Sequence, residues 1–184
     1  MTAWLDKLIN TKEPVVPAPF YLTRVQNEIM ENMNEIIEKI SNSSKILIGI
    51  GENAGLERDD YLAIATIVKD KDYFILSLAE NADIEEFEFN KDRISLPLVD
   101  DNPERWEKYL KFLQDTINKD LAVIELEVGF KYPDVIRFPF EKTVFYNQKS
   151  CLIRVNSKFS QLTPEISARG YSIKKTPGEF LKLF

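Results

Sequence analysis

Residues 45–51 read Lys45-Ile46-Leu47-Ile48-Gly49-Ile50-Gly51, an apolar run that ends in glycines. A strand covered on one face alternates apolar and polar residues, whereas a parallel strand covered on both faces is apolar along its length. The run therefore predicts a fully buried parallel strand that enters a tight turn. Beyond it, Asp59 and Asp60 are placed to cap a helix carrying Tyr61, Leu62, Ile64, Ala65 and Val68. Residues 73–78 give a second buried strand, and a third begins near Arg93-Ile94. Asn102-Pro103-Glu104 starts a helix with a capping side chain, a first-turn proline and an acid at the positive end of the dipole. That helix is expected to bury Trp106, Leu110, Leu113 and Ile117. Strands return at residues 121–126, 150–155 and 171–173, and a last helix starts near Pro177.

Toward the N-terminus, Val25, Ile29, Met33, Ile36 and Ile40 recur at helical spacing and mark a core-facing stripe. Pro14, Pro17 and Pro19 make residues 11–20 a stiff linker, and residues 2–10 suit a short amphipathic helix around Trp4, Leu5, Leu8 and Ile9. Residues 1–20 are thus an N-terminal helix and Pro-rich linker, and 21–184 a single domain. Strands alternating with helices predict an α/β fold: a three-layer, Rossmann-like parallel sheet with helices on both faces. Such sheets bind ligands at the carboxyl ends of their strands, where the strand order reverses. The loops after Ile48, Leu78, Leu126 and Val155 are the places where function is expected.

Composition narrows the chemistry. With 44% hydrophobic and 11% aromatic residues in 184, the chain can bury a core large enough to offset the entropy of ordering. A net charge of −6 repels phosphate backbones, so nucleic acid is not expected as a partner. The chain has no histidine, which removes imidazole catalysis. Cys151 is the single cysteine, so there is no internal disulfide and no cysteine cage for zinc. No apolar run is long enough to span a bilayer and the N-terminus lacks a secretion signal, so the cytoplasm is the expected compartment and no membrane contact is expected.

Few groups stand out as reactive. Gly49, Gly51 and Gly55 follow the first strand as Gly-x-Gly-x-x-x-Gly, one residue longer than the usual dinucleotide fingerprint. Such a turn either cradles a phosphate or serves as a tight connection with no ligand. Asp83, Glu85, Glu86 and Glu88 alternate with Ile84, Phe87 and Phe89, which reads as one solvated and one buried side. Ser77 has no visible base, and Cys151 lies in an apolar run and reads as buried and inert. The aromatic-rich stretch from Phe138-Pro139-Phe140 to Val144-Phe145-Tyr146 could pair with a second copy or a protein partner.

Several segments together resemble the sirtuin family, most closely the microbial sirtuins linked to macrodomains. Ile48-Gly49-Ile50-Gly51-Glu52-Asn53-Ala54 is similar to the family's Gly-Ala-Gly-Ala-Gly cofactor turn. Lys71-Asp72-Tyr73-Phe74-Ile75-Leu76 through Phe89-Asn90-Lys91-Asp92-Arg93-Ile94 looks like its strand, active loop and next strand. Glu125-Leu126-Glu127-Val128-Gly129-Phe130, followed by Pro133, Ile136, Arg137, Phe138, Pro139 and Phe140, resembles a stretch reading Glu-Leu-Gly-Val-Gly-Tyr-Asn-Thr-Pro. Val155-Asn156 and Gly178-Glu179 also fall where matching residues would. The resemblance implies an NAD-type fold with Gly49, Ile50, Gly51, Asn53, Glu127, Val128, Gly129 and Asn156 as cofactor contacts and no catalytic residue of its own.

The departures from that pattern shape the expected function. The nicotinamide loop falls on Ser77-Leu78-Ala79-Glu80-Asn81, with Ala79 and Asn81 in place of the family's asparagine and aspartate. The catalytic histidine position falls on Leu98, and the zinc module that should follow it is missing. Glu127 stands where a glycine should approach the pyrophosphate. A carboxylate about 4 Å from a phosphate is repelled by roughly 4 kcal/mol at an effective dielectric near 20. A helix terminus stabilises an anion by about 1 kcal/mol, rarely 2. The resemblance therefore implies a sirtuin-like domain without activity, binding NAD or ADP-ribose weakly or serving as a protein-interaction module, without zinc. The alternative is an NAD-dependent ADP-ribosyl transferase, deacylase or NAD hydrolase that uses relocated acids such as Glu80 or Asp100.

Overall fold

The computed structural model describes residues 18–79, 84, 87, 89–100 and 102–184, with 18–29 described in backbone only. The chain divides into two compact units, Met1–Glu35 and Ile36–Phe184. The amphipathic segment at 2–10 and most of the proline linker lie outside the described residues. Helix α1 (Ala18–Asn42) begins the described chain, and its last turns belong to the second unit. There Ile36 and Ile40 are buried.

The second unit is a three-layer α/β fold. Its six strands are β1 (Lys45–Ile50), β2 (Asp72–Ser77), β3 (Ile94–Ser95), β4 (Leu121–Leu126), β5 (Ser150–Val155) and β6 (Gly170–Ile173). All pair in parallel, in the order β3-β2-β1-β4-β5-β6. This is the doubly wound order of dinucleotide-type sheets. The register sets Ile48 between Ile75 and Ile124, so β1 is, with β4, one of the two middle strands. Ile46, Leu47, Ile48 and Ile50 are all fully buried, as expected of a strand covered on both faces.

Side-chain alternation divides the core in two. Leu47, Phe74, Leu76, Leu121, Val123 and Leu152 face one layer, formed by α3 (Pro103–Asp115), α4 (Arg137–Tyr146) and α5 (Pro164–Ser167). The opposite residues of each strand face α2 (Arg58–Val68), α6 (Pro177–Leu181) and the end of α1, which supply Ile64, Ile67, Phe180, Leu181 and Ile40. The start of α3 follows its sequence signal, whereas α2 begins earlier than Asp59 and Asp60 implied. The Asn102 side chain accepts from the Glu104 N–H at 2.9 Å, with Pro103 opening α3. In α2 the cap residue is Glu57, and Asp60 works from the third position, its carboxylate accepting the Glu57 N–H at 2.9 Å.

One expected face is wrong. Helix α3 buries Tyr109 and Phe112; of the four residues expected inside, Leu113 is partly buried against the core, while Trp106, Leu110 and Ile117 are exposed. Tyr109 and Phe112 pack on Phe74 of β2, with ring centroids 5.4 and 5.9 Å apart. Both stripes have helical spacing; the partner ring on the sheet selects between them, because an aromatic pair adds stabilisation beyond its buried area.

A buried charge centre lies under the carboxyl ends of β4 and β5. Arg154, 1% exposed, and Glu125, fully buried, face each other directly across the strand pair. Arg154 Nε donates to Glu125 Oε2 at 2.6 Å and Nη2 to Oε1 at 3.1 Å. Nη2 also reaches Glu141 of α4 at 2.7 Å, and Nη1 donates to the Gln161 carbonyl at 2.7 Å. Burial pushes the Glu125 carboxyl up, against the pull of Arg154. Burial also opposes charge on Arg154, but the bonds to Glu125 and Glu141 outweigh it and raise its pKa. These shifts oppose each other. The geometry favours the ionised pair, because both carboxylate oxygens accept from the guanidinium.

Removing one partner of such a pair leaves a buried charge without compensation and costs about 3–5 kcal/mol. Arg154→Met should lose stability on that scale in urea denaturation. The double variant Glu125→Leu with Arg154→Met should recover most of the loss, since an apolar pair of similar volume needs no compensation. A double variant as unstable as the single one would show that the charges themselves are required.

Candidate functional site

The strand order reverses between β1 and β4, and ligands of doubly wound sheets bind outside the carboxyl ends at such a point. A cleft of about 510 Å³ opens there. The β1–α2 loop lines it with Glu52, Asn53, Gly55 and Leu56, the first turns of α2 with Tyr61, the end of β2 with Ala79, and the loop after β4 with Lys131. Small-molecule sites span about 300–1,000 Å³ and combine an apolar lining with a few polar groups. Here Leu56, Tyr61 and Ala79 form the apolar wall, and Tyr61 is stacked on Phe87 at 4.9 Å. The Lys131 ammonium lies over the Tyr132 ring, 5.0 Å from its centroid. The Glu52 carboxylate sits against Gly129: a β carbon there would lie 3.3 Å from Oε1. Glu52 Oε2 is buried with no hydrogen-bond donor among the described residues.

Of the eight residues expected to hold a cofactor, only Asn53 lines this cleft. Gly49 lies within β1 and faces α4; a β carbon would come within 2.5 Å of Ile136 and 2.6 Å of the Phe140 ring. Gly51 ends the strand against the Glu127 carbonyl, where a β carbon would meet the oxygen at 2.0 Å. Close packing inside the protein alone requires a glycine at both positions. Ile50 is core. Val128 is buried, and its carbonyl accepts from Arg137 Nη1 at 3.2 Å and Asn156 Nδ2 at 3.0 Å. Asn156 Oδ1 in turn accepts the N–H groups of Lys158 and Phe159, at 2.9 and 2.6 Å. Val128 and Asn156 therefore brace two loops against each other.

Glu127 answers the question its position raised. It has φ 51°, the left-handed region that favours glycine, and its carboxylate turns to the loop after β5. There it accepts the Ser157 N–H at 3.0 Å and the Ser157 hydroxyl at 2.5 Å. An N–H and a hydroxyl of this kind would suit an anion, and the chain's own carboxylate occupies them.

The other candidates resolve individually. Ser77 is buried, and its hydroxyl accepts the Ala79 N–H at 3.2 Å, so it shapes a turn. Cys151 is half-buried rather than buried, and desolvation pushes its thiol up to about 11. Asp100 pairs with Arg105 at 3.3 Å, and Leu98 lies on the turn after β3. Ile84 and Phe89 are buried, as their alternation implies, whereas Glu80, Asn81, Asp83, Glu85, Glu86 and Glu88 lie outside the described residues. No cluster of three or more potential metal ligands occurs among the described residues. No helix among them is long and apolar enough to cross a membrane.

Sequence reasoning missed Glu52, Leu56, Tyr61, Ala79 and Lys131 as lining residues. Glu52 directly follows Gly51 and was visible there. Lys131 carried no signal, because only the pairing of β1 with β4 brings it near.

No family model and no curated protein matches the chain. Among solved structures, an exopolyphosphatase-related protein from Bacteroides fragilis matches with a TM-score of 0.50 and 12% identity. The match covers 83% of this chain and 42% of that one, so this chain spans less than half its length. At that identity the likeness speaks for the fold alone. It corrects the sirtuin resemblance: the structural likeness is to an exopolyphosphatase-related protein, and neither the family assignment nor its NAD-binding label is upheld. The glycine turn and apolar strands that carried the resemblance are what a doubly wound sheet requires for its own packing.

Glu127 can then be considered on its own. Glu127→Ala and Glu127→Gly both lose the bonds to Ser157, but only glycine relaxes the left-handed backbone. The glycine variant should be the more stable of the two by about 1–2 kcal/mol in chemical denaturation. Equal stabilities would mean that the backbone at this position carries no strain.

Proposed function

We infer that the chain is a binding module that takes a small ligand in the cleft between the β1–α2 and β4–α4 loops. The observation that carries this reading is a cleft of about 510 Å³ at the point where the strand order reverses, lined from three separate strand ends. Its polar lining is one carboxylate, one amide and one ammonium, set against an apolar wall. Among the described residues, the candidates for turnover are engaged elsewhere: Ser77 in a turn, Asp100 with Arg105, and Glu127 with Ser157. This supports binding over catalysis by those groups.

Thermal shift with a panel of nucleosides, nucleotides, sugars and amino acids tests the reading. A ligand at about 100 times its dissociation constant adds about 2.7 kcal/mol, or roughly 5–10 °C for a chain of this size. Ala79→Phe, which fills the cleft, should remove the shift. A flat response across the panel, or a shift that survives Ala79→Phe, would overturn the assignment.

A second reading, self-association, has its own observation. Ile117, Tyr146 and Phe145 are 63%, 77% and 45% exposed, and the first two border an apolar groove of about 260 Å³ between the end of α3 and α4. Apolar patches of this kind suit an isologous contact with a second copy. Light scattering should then report a dimer that Tyr146→Asp converts to monomer. A monomer at every concentration would end this reading.

A further inference from the structure

We propose that the cleft selects an uncharged, hydroxyl-bearing ligand of nucleoside size through the Glu52 carboxylate, and that it discriminates against phosphorylated forms of the same ligand. The inference rests on the cleft being a ligand site and adds the class of ligand.

Three observations carry it. The first is the orphaned Oε2 of Glu52, a buried carboxylate oxygen with no donor among the described residues. A buried acceptor of that kind is stabilised by a hydroxyl donor from outside the protein.

The second observation is that several of the donors a phosphate would use in a glycine-turn fold are already engaged. The Gly51 N–H, at the position that approaches a pyrophosphate in glycine-turn folds, donates to the Leu126 carbonyl at 2.9 Å. The Ala54 N–H turns back to the Gly51 carbonyl at 3.2 Å. At the start of α2 the Glu57 N–H is held by Asp60, and Asp59 sits in the same turn. The positive end of that helix dipole therefore faces the protein's own carboxylates. Across the sheet edge, the Ser157 N–H and hydroxyl are occupied by Glu127.

The third is the shape of the remaining wall. Leu56, Tyr61 and Ala79 offer apolar surface beside the carboxylate. A flat or ring-shaped body with hydroxyls at one end meets both parts, with its hydroxyls toward Glu52. A phosphate on that end would instead meet a carboxylate where a pyrophosphate-binding turn presents backbone donors.

Adenosine and AMP are a matched pair of probes for titration calorimetry with the full chain. Adenosine should bind at least about 10-fold more tightly than AMP, the scale of one hydrogen bond to a charged acceptor. Glu52→Gln keeps the shape and removes the charge. It should weaken adenosine on the order of 10-fold and bring the two affinities within about threefold of each other. AMP binding as tightly as adenosine, or an unchanged ratio in Glu52→Gln, would overturn the selection by Glu52. If both probes bind in the wild type and lose binding in Ala79→Phe while AMP is the tighter, the cleft stands and the ligand class falls. If neither probe binds while other compounds shift the protein through the cleft, the ligand class falls alone; no binding by any compound removes both. The wild-type ratio decides the matter even if Glu52→Gln fails to fold.

Discussion

Under the carboxyl edge of the sheet, the Arg154 guanidinium holds together four parts of the chain: Glu125 on β4, its own strand β5, Glu141 on α4 and the carbonyl of Gln161. Of the residues lining the candidate site, Lys131 lies on the loop that follows the strand of Glu125. Arg137 extends the Arg154 contact, donating to the Val128 carbonyl and to the Phe159 carbonyl at 3.2 Å each, while its guanidinium lies 4.3 Å from the Phe130 ring centroid. The loop after β4 and the loop after β5 are thereby fixed relative to each other. A buried pair of this kind contributes little net stability compared with an apolar core. What it contributes here is position: two parallel strands are held in a register that leaves their carboxyl ends open on one side and braced on the other.

From that bracing follows the character of the edge. In a dinucleotide-binding sheet the glycine turn and the nearby helix terminus leave backbone donors available for phosphate. Here several of the same donors find partners inside the chain. Gly51 bonds to β4, Glu127 fills the niche at Ser157, and Asp60 closes the start of α2. The glycines remain because the backbone comes too close for a side chain, at Ile136 for Gly49 and at the Glu127 carbonyl for Gly51. A fold that commonly binds anions is thus built, at this edge, around its own carboxylates. Glu52, whose Oε2 has no hydrogen-bond donor among the described residues, lines the cleft with Asn53 and Lys131.

The likeness to an exopolyphosphatase-related protein extends over 83% of this chain at 12% identity and carries the architecture, not a chemistry. Function has to be argued from the site, and the binding role proposed above rests on the cleft at the strand reversal. A resemblance built from a glycine turn and a few strand ends is easily met by any doubly wound sheet. Those motifs record how strands, turns and helices pack, which unrelated proteins of the same architecture share.

The strands and helices α1, α2, α3 and α6 were legible in the sequence, whereas α4, whose residues read as an aromatic-rich connection, and α5 were not. The apolar run at residues 45–51 could only be a strand covered twice, and β4 and β5 read the same way. The start of α3 was written in Asn102-Pro103-Glu104, since a cap is a local device. The sequence alone therefore determined the layer architecture and the absence of imidazole chemistry. The tertiary structure decided which face of α3 enters the core, because Tyr109 and Phe112 meet Phe74 from another strand. It also decided that Gly49 and Gly51 serve packing, that Glu127 turns to Ser157, and that Lys131 reaches the cleft beside Glu52. Periodicity and caps act over a few residues and leave a local trace. A side chain's partner across the sheet is set by strand pairing between residues tens of positions apart, and no local pattern encodes it.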